Sequence, residues 1–303
     1  MSTGAGPLTV YQSVGGASRP RAAKAPSGLT PAQAERFRQV EASRVAFAAL
    51  EGLHRAEFPS PAPEVAVMAK LPRFHTLLMT AEKQALRGVS IRDRQARRAA
   101  RAAARSRAEL WATDLLSIAT TDVRDRQAAI DARLRALHDN DPATVLHTIG
   151  AEFARLGRAI RVTQVCDGEV GLLATIPPPD VVPATKPALT PNGAPTLHQV
   201  TKTEHAEWYA QVIASHILLA AKEAFALAPA LVGARVVAVD AAGVPVVAAR
   251  IMRERLERVD WSAGAWPIVH WLDAGLRCDV RGRTRELRTI DLRGDDLYAP
   301  VLG

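Results

Sequence analysis

The sequence lacks most of the spacings that announce a chemistry. Its two cysteines, Cys166 and Cys278, lie far apart with no metal or redox spacing. Each falls in a predicted strand and reads as a small buried hydrophobe. The chain has no GxGxxG, Walker A loop, HExxH or nucleophile elbow, so nucleotide, zinc-protease and hydrolase readings have no motif to rest on. The eight histidines are scattered, and His54, His75, His138 and His147 have no cysteine at ligand spacing. A metal-dependent nuclease core needs an acidic residue on one strand and a carboxylate–x–lysine on the next. Asp240 ends a suitable strand, but the following strand offers Ala248-Ala249-Arg250, and the site is incomplete. No cofactor and no metal are predicted. No apolar targeting core follows Met1 and no run is long enough to cross a bilayer, so the expected location is cytoplasmic, away from membranes.

What is present is a folded, helix-favouring composition. Hydrophobic residues make up 48% and charged residues 23%, ordinary values for a globular protein, and alanine and arginine are abundant. The formal charge of +8 is unevenly placed. Residues 1–141 carry 22 Lys+Arg against 14 Asp+Glu, whereas residues 142–303 carry 17 of each. The basic excess therefore belongs to the first half, which implies two parts with different roles.

The segment Thr201–Ala228 is the clearest helix and the natural centre of a domain. Thr201 and Glu204 have capping-box spacing, and Pro229 and Gly233 follow the last periodic residue. A helix apolar around most of its circumference is buried on most sides. Gln211, His216, Lys222 and Glu223 interrupt it too often for a membrane span.

Taken in order, residues 1–29 are rich in Gly, Ser, Pro and Ala and predict a disordered tail, with Leu8–Tyr11 as a strand if an edge is offered. Residues 30–138 predict a basic helical region with coiled-coil character. Thr30 and Pro31 open its first helix, and a proline-rich break runs from Pro59 to Pro63. Ser90 starts the longest helix, with a break near Thr120-Thr121 as one option. Its first half is mostly Ala and Arg without a seam. From 110 to 137 apolar residues recur as Leu116, Ala119, Val123, Ile130, Leu134 and Leu137, a seam for another helix or a second copy of the chain.

Residues 139–303 predict an α+β domain, opened by Asp141 and Pro142. Asp167-Gly168 between apolar runs signals a hairpin. Prolines at every fourth position from Pro179 to Pro195 predict an extended, exposed loop over 177–200. Strands are expected at 234–240 and 244–251, with short extended pieces at Ile268–Leu272, Leu276–Val280 and Thr284–Ile290. The pairing of a helix with a hairpin occurs twice, around Arg161–Ala174 and Arg235–Ala248. It points to two helix–hairpin units on one sheet.

This layout resembles a group of uncharacterised actinobacterial proteins with a small glycine-rich N-terminal β domain, an Ala/Arg-rich helical middle and an α+β C-terminal domain. The residues that carry the resemblance are Leu197–Phe225, Lys186–Pro191 and Arg281–Leu287. Pro7–Gly16 looks like the last strand of the small domain, the rest of which is missing here. The resemblance implies an architecture and no activity.

Two constellations remain as candidate sites. On the central helix Lys202, His205, Tyr209, His216 and Glu223 share one stripe, and a histidine, a tyrosine and a carboxylate facing one cavity can do acid–base work. The competing reading is the helix's wetter edge with His216 satisfied in the core. On the long helix Arg94, Arg98, Arg101 and Arg105 repeat at four, three and four, a face able to follow nucleic-acid phosphates. No aromatics interleave to stack on bases, so binding there would be electrostatic, and the competing reading is a solvated Ala/Arg face. Trp261, Trp266 and Trp271 cluster and read as core, or as a binding surface if exposed. The leading expectation is a long N-terminal helical arm presenting a compact α+β domain, whose central buried helix packs on a small mixed or antiparallel sheet. Such a chain reads as a non-enzymatic binding or assembly protein with a protein partner, itself included through 110–137. The alternative is a nonspecific nucleic-acid-associated protein with a degenerate nuclease-like C-terminal domain.

Overall fold

The computed structural model describes residues 30–60, 62 and 64–303. The tail 1–29, its strand candidate Leu8–Tyr11 and the Pro7–Gly16 resemblance lie outside the described residues. Two compact units divide the chain: one takes its described residues from 30–60 and Ala136–Gly303, the other spans Ala62–Arg135.

The larger unit is an α+β layer built on a six-stranded mixed sheet. Its helices are α1 (Pro31–Gly52), α4 (Pro142–Arg155), α5 (Lys202–Leu227), α6 (Arg253–Leu256), α7 (Ala265–Leu272) and α8 (Ala299–Leu302). The strands are β1 (Ile160–Cys166), β2 (Glu169–Thr175), β5 (Gly233–Val239), β6 (Pro245–Met252), β7 (Arg277–Val280) and β8 (Leu287–Arg288), hydrogen-bonded in that order. Asp167 and Gly168 both adopt positive φ (52° and 75°), the mirror-image turn that lets β1 and β2 close tightly. Both helix–hairpin units lie on this sheet. They meet through β2 and β5, which run parallel from Glu169↔Gly233 to Thr175↔Val239 because α5 supplies the crossover between them.

Side-chain alternation divides the sheet into two faces. Val170, Leu172, Ala174, Ala234, Val236, Ala249 and Ile251 point to one face and form the main core with α4, α5 and α7. Val237, Val239 and Ala248 point to the other, where Leu292, Tyr298 and Val301 cover them. The central helix fits the first face because its apolar residues encircle it, Val212, Ile213, Ile217, Leu218 and Leu219 all being inaccessible. Its start is fixed by the expected box, with Thr201 Oγ1 accepting from the Glu204 N–H and Glu204 accepting from the Thr201 N–H. It is the described helix long and apolar enough to cross a membrane, and 83% of its most apolar window is buried inside the fold.

Several elements differ from expectation. The proline-rich stretch 177–200 carries a hairpin of β3 (Thr185–Leu189) and β4 (Pro195–Gln199). The hydrogen bonds Thr190 N–Ala194 O and Val200 N–Ala184 O set the register. By that register Pro187↔Leu197 and Leu189↔Pro195 are non-hydrogen-bonded pairs, where proline's missing N–H costs the ladder nothing. Ile268–Leu272 is the end of helix α7, not extended chain. Pro267 suits its first turn, and Ile268, Val269 and Leu272 all reach the core. Helix α1, grouped with the arm by composition, packs on α5 and the β3–β4 hairpin, with Ser43 Oγ donating to Thr185 O at 2.8 Å. Cys166 is exposed at the end of β1 rather than buried.

The smaller unit consists of an extended segment, α2 (Phe74–Ala85) and the long helix α3 (Arg94–His138), whose residues to Arg135 belong here. At 45 residues α3 is about 68 Å long and unbroken. Thr113 and Thr120 return their hydroxyls to Glu109 O and Leu116 O, so the threonines leave no polar group to interrupt the ladder. The first half does have a seam. Ala104 and Ala108 are buried with Ala81 of α2, beside Leu77, Leu78 and Trp111. Alanines four apart let two helices approach closely, which an apolar pattern dominated by large residues would not reveal. The second half is crossed by the chain's own residues: Ala66 N–H donates to Gln127 Oε1 at 2.9 Å, and Arg133 pairs with Glu64 at 2.5 Å.

Candidate polyanion-binding face

The stripe on α5 is spread along the helix rather than gathered. His205 and Glu223 are eighteen residues apart, about 27 Å of helix. Lys202 is exposed and His205 half-buried near the start of α5. Tyr209 is tied by its hydroxyl, which donates to Pro177 O at 2.9 Å. Burial, then Asp240 and Asp180, push that phenol up to about 12, so it is protonated and anchored. His216 is 4% exposed, and burial with Arg158 nearby holds it down at about 4, a neutral imidazole in the core. Glu223 faces Arg158 at 3.0 Å with both side chains almost inaccessible. Burial raises that carboxyl more than the guanidinium lowers it. No single cavity collects these groups among the described residues; Tyr209 and Glu223 are each held by a different segment, through Pro177 O and Arg158.

Two other basic groups, Lys222 and Arg253, do structural work at helix ends. Lys222 donates to His54 O and Ala56 O and lies 4.1 Å from the Trp261 ring centre. Burial brings its ammonium down to about 8. Arg253 donates to Phe225 O, Ala228 O and Leu231 O, collecting carbonyls that the end of α5 leaves open. Trp261 and Trp266 pack against the core, whereas Trp271 is 56% exposed.

The arginine face is built from one element. Arg94, Arg98, Arg101 and Arg105 are all exposed and fall within about 60° of one another around α3, over a rise of about 16 Å. The row runs beside the seam with α2: around the helix, Ala104 and Ala108 lie about 60° from Arg101 and Arg105 respectively. Asp93 caps the helix start, its Oδ1 accepting from Ala96 N–H at 2.9 Å. Arg105 meets Glu109 at 3.4 Å, with both side chains more than half exposed, a pair that salt screens readily. Trp111, the nearest aromatic on α3, packs towards the α2 seam and offers no base-stacking platform on the arginine side.

The smaller unit concentrates the charge more than the sequence halves indicate. Residues 62–135 hold 15 Lys+Arg and 8 Asp+Glu, and residues 70–107 alone hold 11 against 2. Among the described residues no group of three or more His, Cys, Asp or Glu is placed to hold a metal ion. Comparisons with protein-family models, with curated proteins and with solved structures find no match to this chain.

Proposed function

We propose that this is a binding protein whose helical unit attaches to the phosphate backbone of nucleic acid without reading sequence. The observation that carries the reading is the outward row Arg94, Arg98, Arg101, Arg105 on a stretch with 11 Lys+Arg and 2 Asp+Glu. A rigid helix holds these charges about one turn apart, so successive phosphates are neutralised without ordering a flexible segment. The lack of interleaved aromatics favours the backbone over splayed bases. The α+β unit, with 21 Lys+Arg against 23 Asp+Glu in residues 30–60 and 136–303 and without a gathered catalytic constellation, acts in this reading as the folded body that accompanies the basic helical unit.

The test is anisotropy titration of a labelled 25-base-pair duplex with the intact chain across a salt series. A companion variant replaces all four arginines with glutamine, which keeps helix propensity. The slope of log affinity against log salt is expected to fall by about 3 to 4 in the variant, from about 0.9 per phosphate contact. An unchanged slope, or no binding at low salt, would reject the reading. A second reading, self-association, is favoured by Leu110, Leu116, Ile118 and Leu134, which remain exposed on α3. Light scattering of the intact chain distinguishes it by mass.

A further inference from the structure

A half-open cavity of about 320 Å³ lies where three separate segments of the larger unit meet. Glu51 comes from the end of α1, Glu207, Trp208 and Gln211 from the first turns of α5, and Gly264 from the residue before α7. In a chain of net charge +8, two carboxylates line this cavity and no lysine or arginine does. We propose that it binds a guanidinium group on a flexible stem, the chemistry shared by agmatine and by arginyl side chains.

The acidic and aromatic walls match that ligand. Trp208 offers an indole, the aromatic ring that attracts a cation most strongly. The indole is held in place edge-on by Phe47, with ring centres 5.0 Å apart at 64°. Gln211 is fixed as a neutral wall: its Oε1 accepts from Trp266 N–H at 2.9 Å, so it contributes shape and not an acceptor for the cation. Gly264 leaves room for that amide: a Cβ there would stand 3.0 Å from Gln211 Nε2 and 3.1 Å from Oε1 and press on it. The chain itself shows that Glu207 accepts a guanidinium. Arg285 already pairs with it at 2.8 Å, with both side chains about half exposed, so a ligand head group shares this carboxylate with Arg285 or displaces it. Glu51 supplies the second carboxylate.

Other ligands fit less well. An anion would face two carboxylates, and an apolar molecule would desolvate them without compensation. A bare divalent cation needs six or more oxygens, which two carboxylates and one amide do not provide. The volume is at the lower end for small-molecule sites, enough for a side-chain-sized stem and head group.

The experiment is isothermal titration of the full chain with agmatine and, separately, with acetyl-Gly-Arg-Gly-amide. Acetyl-Gly-citrulline-Gly-amide serves as the neutral isostere. Saturable binding of a cationic probe but not of the citrulline peptide supports the proposal, and the tighter of the two cationic probes identifies the source as free amine or polypeptide. Glu51→Gln with Glu207→Gln is expected to weaken binding about fivefold or more, since each exposed carboxylate contributes roughly a factor of two to five. Trp208→Phe retains an aromatic partner for Phe47 and is expected to cost about twofold or more. Absence of saturable binding, or equal binding by the double variant and by Trp208→Phe, would overturn it. Unchanged thermal melting of each variant confirms that a loss reflects the cavity.

Discussion

His216 makes the larger unit sensitive to acid, with a sign and size that follow from its position. The ring is 4% exposed in the middle of α5, and burial, reinforced by the Arg158 charge, holds it down at about 4 from an ordinary 6.5. A base whose folded pKa is depressed resists protonation that the unfolded chain accepts freely. Its contribution is therefore intact above pH 6.5 and is lost as the pH falls towards 4. From these two values, lowering the pH from 7 to 4.5 costs on the order of 2 kcal/mol through this one group. Glu223 works in the opposite direction: its raised carboxyl favours the folded state below the ordinary carboxylate pKa, and that benefit is lost as pH rises. Removing His216 alone isolates its term. In His216→Leu, of similar volume, urea unfolding followed by tryptophan fluorescence should lose about 2 kcal/mol of the wild-type difference between pH 7 and 4.5. The fluorescence reports mainly this unit, since four of the five tryptophans lie in it. Parallel pH profiles for wild type and variant would refute the assignment of a neutral buried imidazole.

Two further perturbations test the packing around the central helix and the sheet. Thr201→Ala removes the hydroxyl that accepts from Glu204 N–H and should cost about 1 kcal/mol in urea unfolding, whereas Thr201→Ser should be close to neutral. Gly171→Ala places a Cβ 2.8 Å from both Gln164 Cγ and Thr163 Oγ1 and 3.3 Å from Val301 Cγ2. That overpacking should destabilise by about 1–3 kcal/mol, read as a lower melting temperature.

The legible part of the fold was local. Thr201 with Glu204, Thr30 before Pro31 and Asp141 before Pro142 each mark a helix start, and in the structure each of the three side chains accepts from a backbone N–H three residues on. Asp167-Gly168 specified its hairpin because a turn with positive φ at two positions narrows the choice of residues sharply. The α+β class followed from apolar hairpins alternating with helices. The β3–β4 hairpin was hidden by its prolines. Only the pairing register shows that Pro187 and Pro195 occupy positions where no N–H is needed. The alanine seam of α3 was hidden too, because alanine is both a helix former and, four residues apart, a contact surface once α2 lies against it.

The same division holds for function. The sequence by itself determined where the positive charge lies and that four arginines share one helical face, since 3.6 residues per turn fixes azimuth without reference to the rest of the fold. It also determined that His205, Tyr209, His216 and Glu223 share a stripe. Tertiary structure alone decided that the stripe is spread along a largely buried helix rather than gathered in one cavity, because burial and separate partners depend on which elements pack over each turn. It alone assembled Glu51, Trp208 and Glu207 with Gln211 and Gly264. Those residues lie up to 213 positions apart, and no periodicity or spacing connects groups brought together only by chain folding.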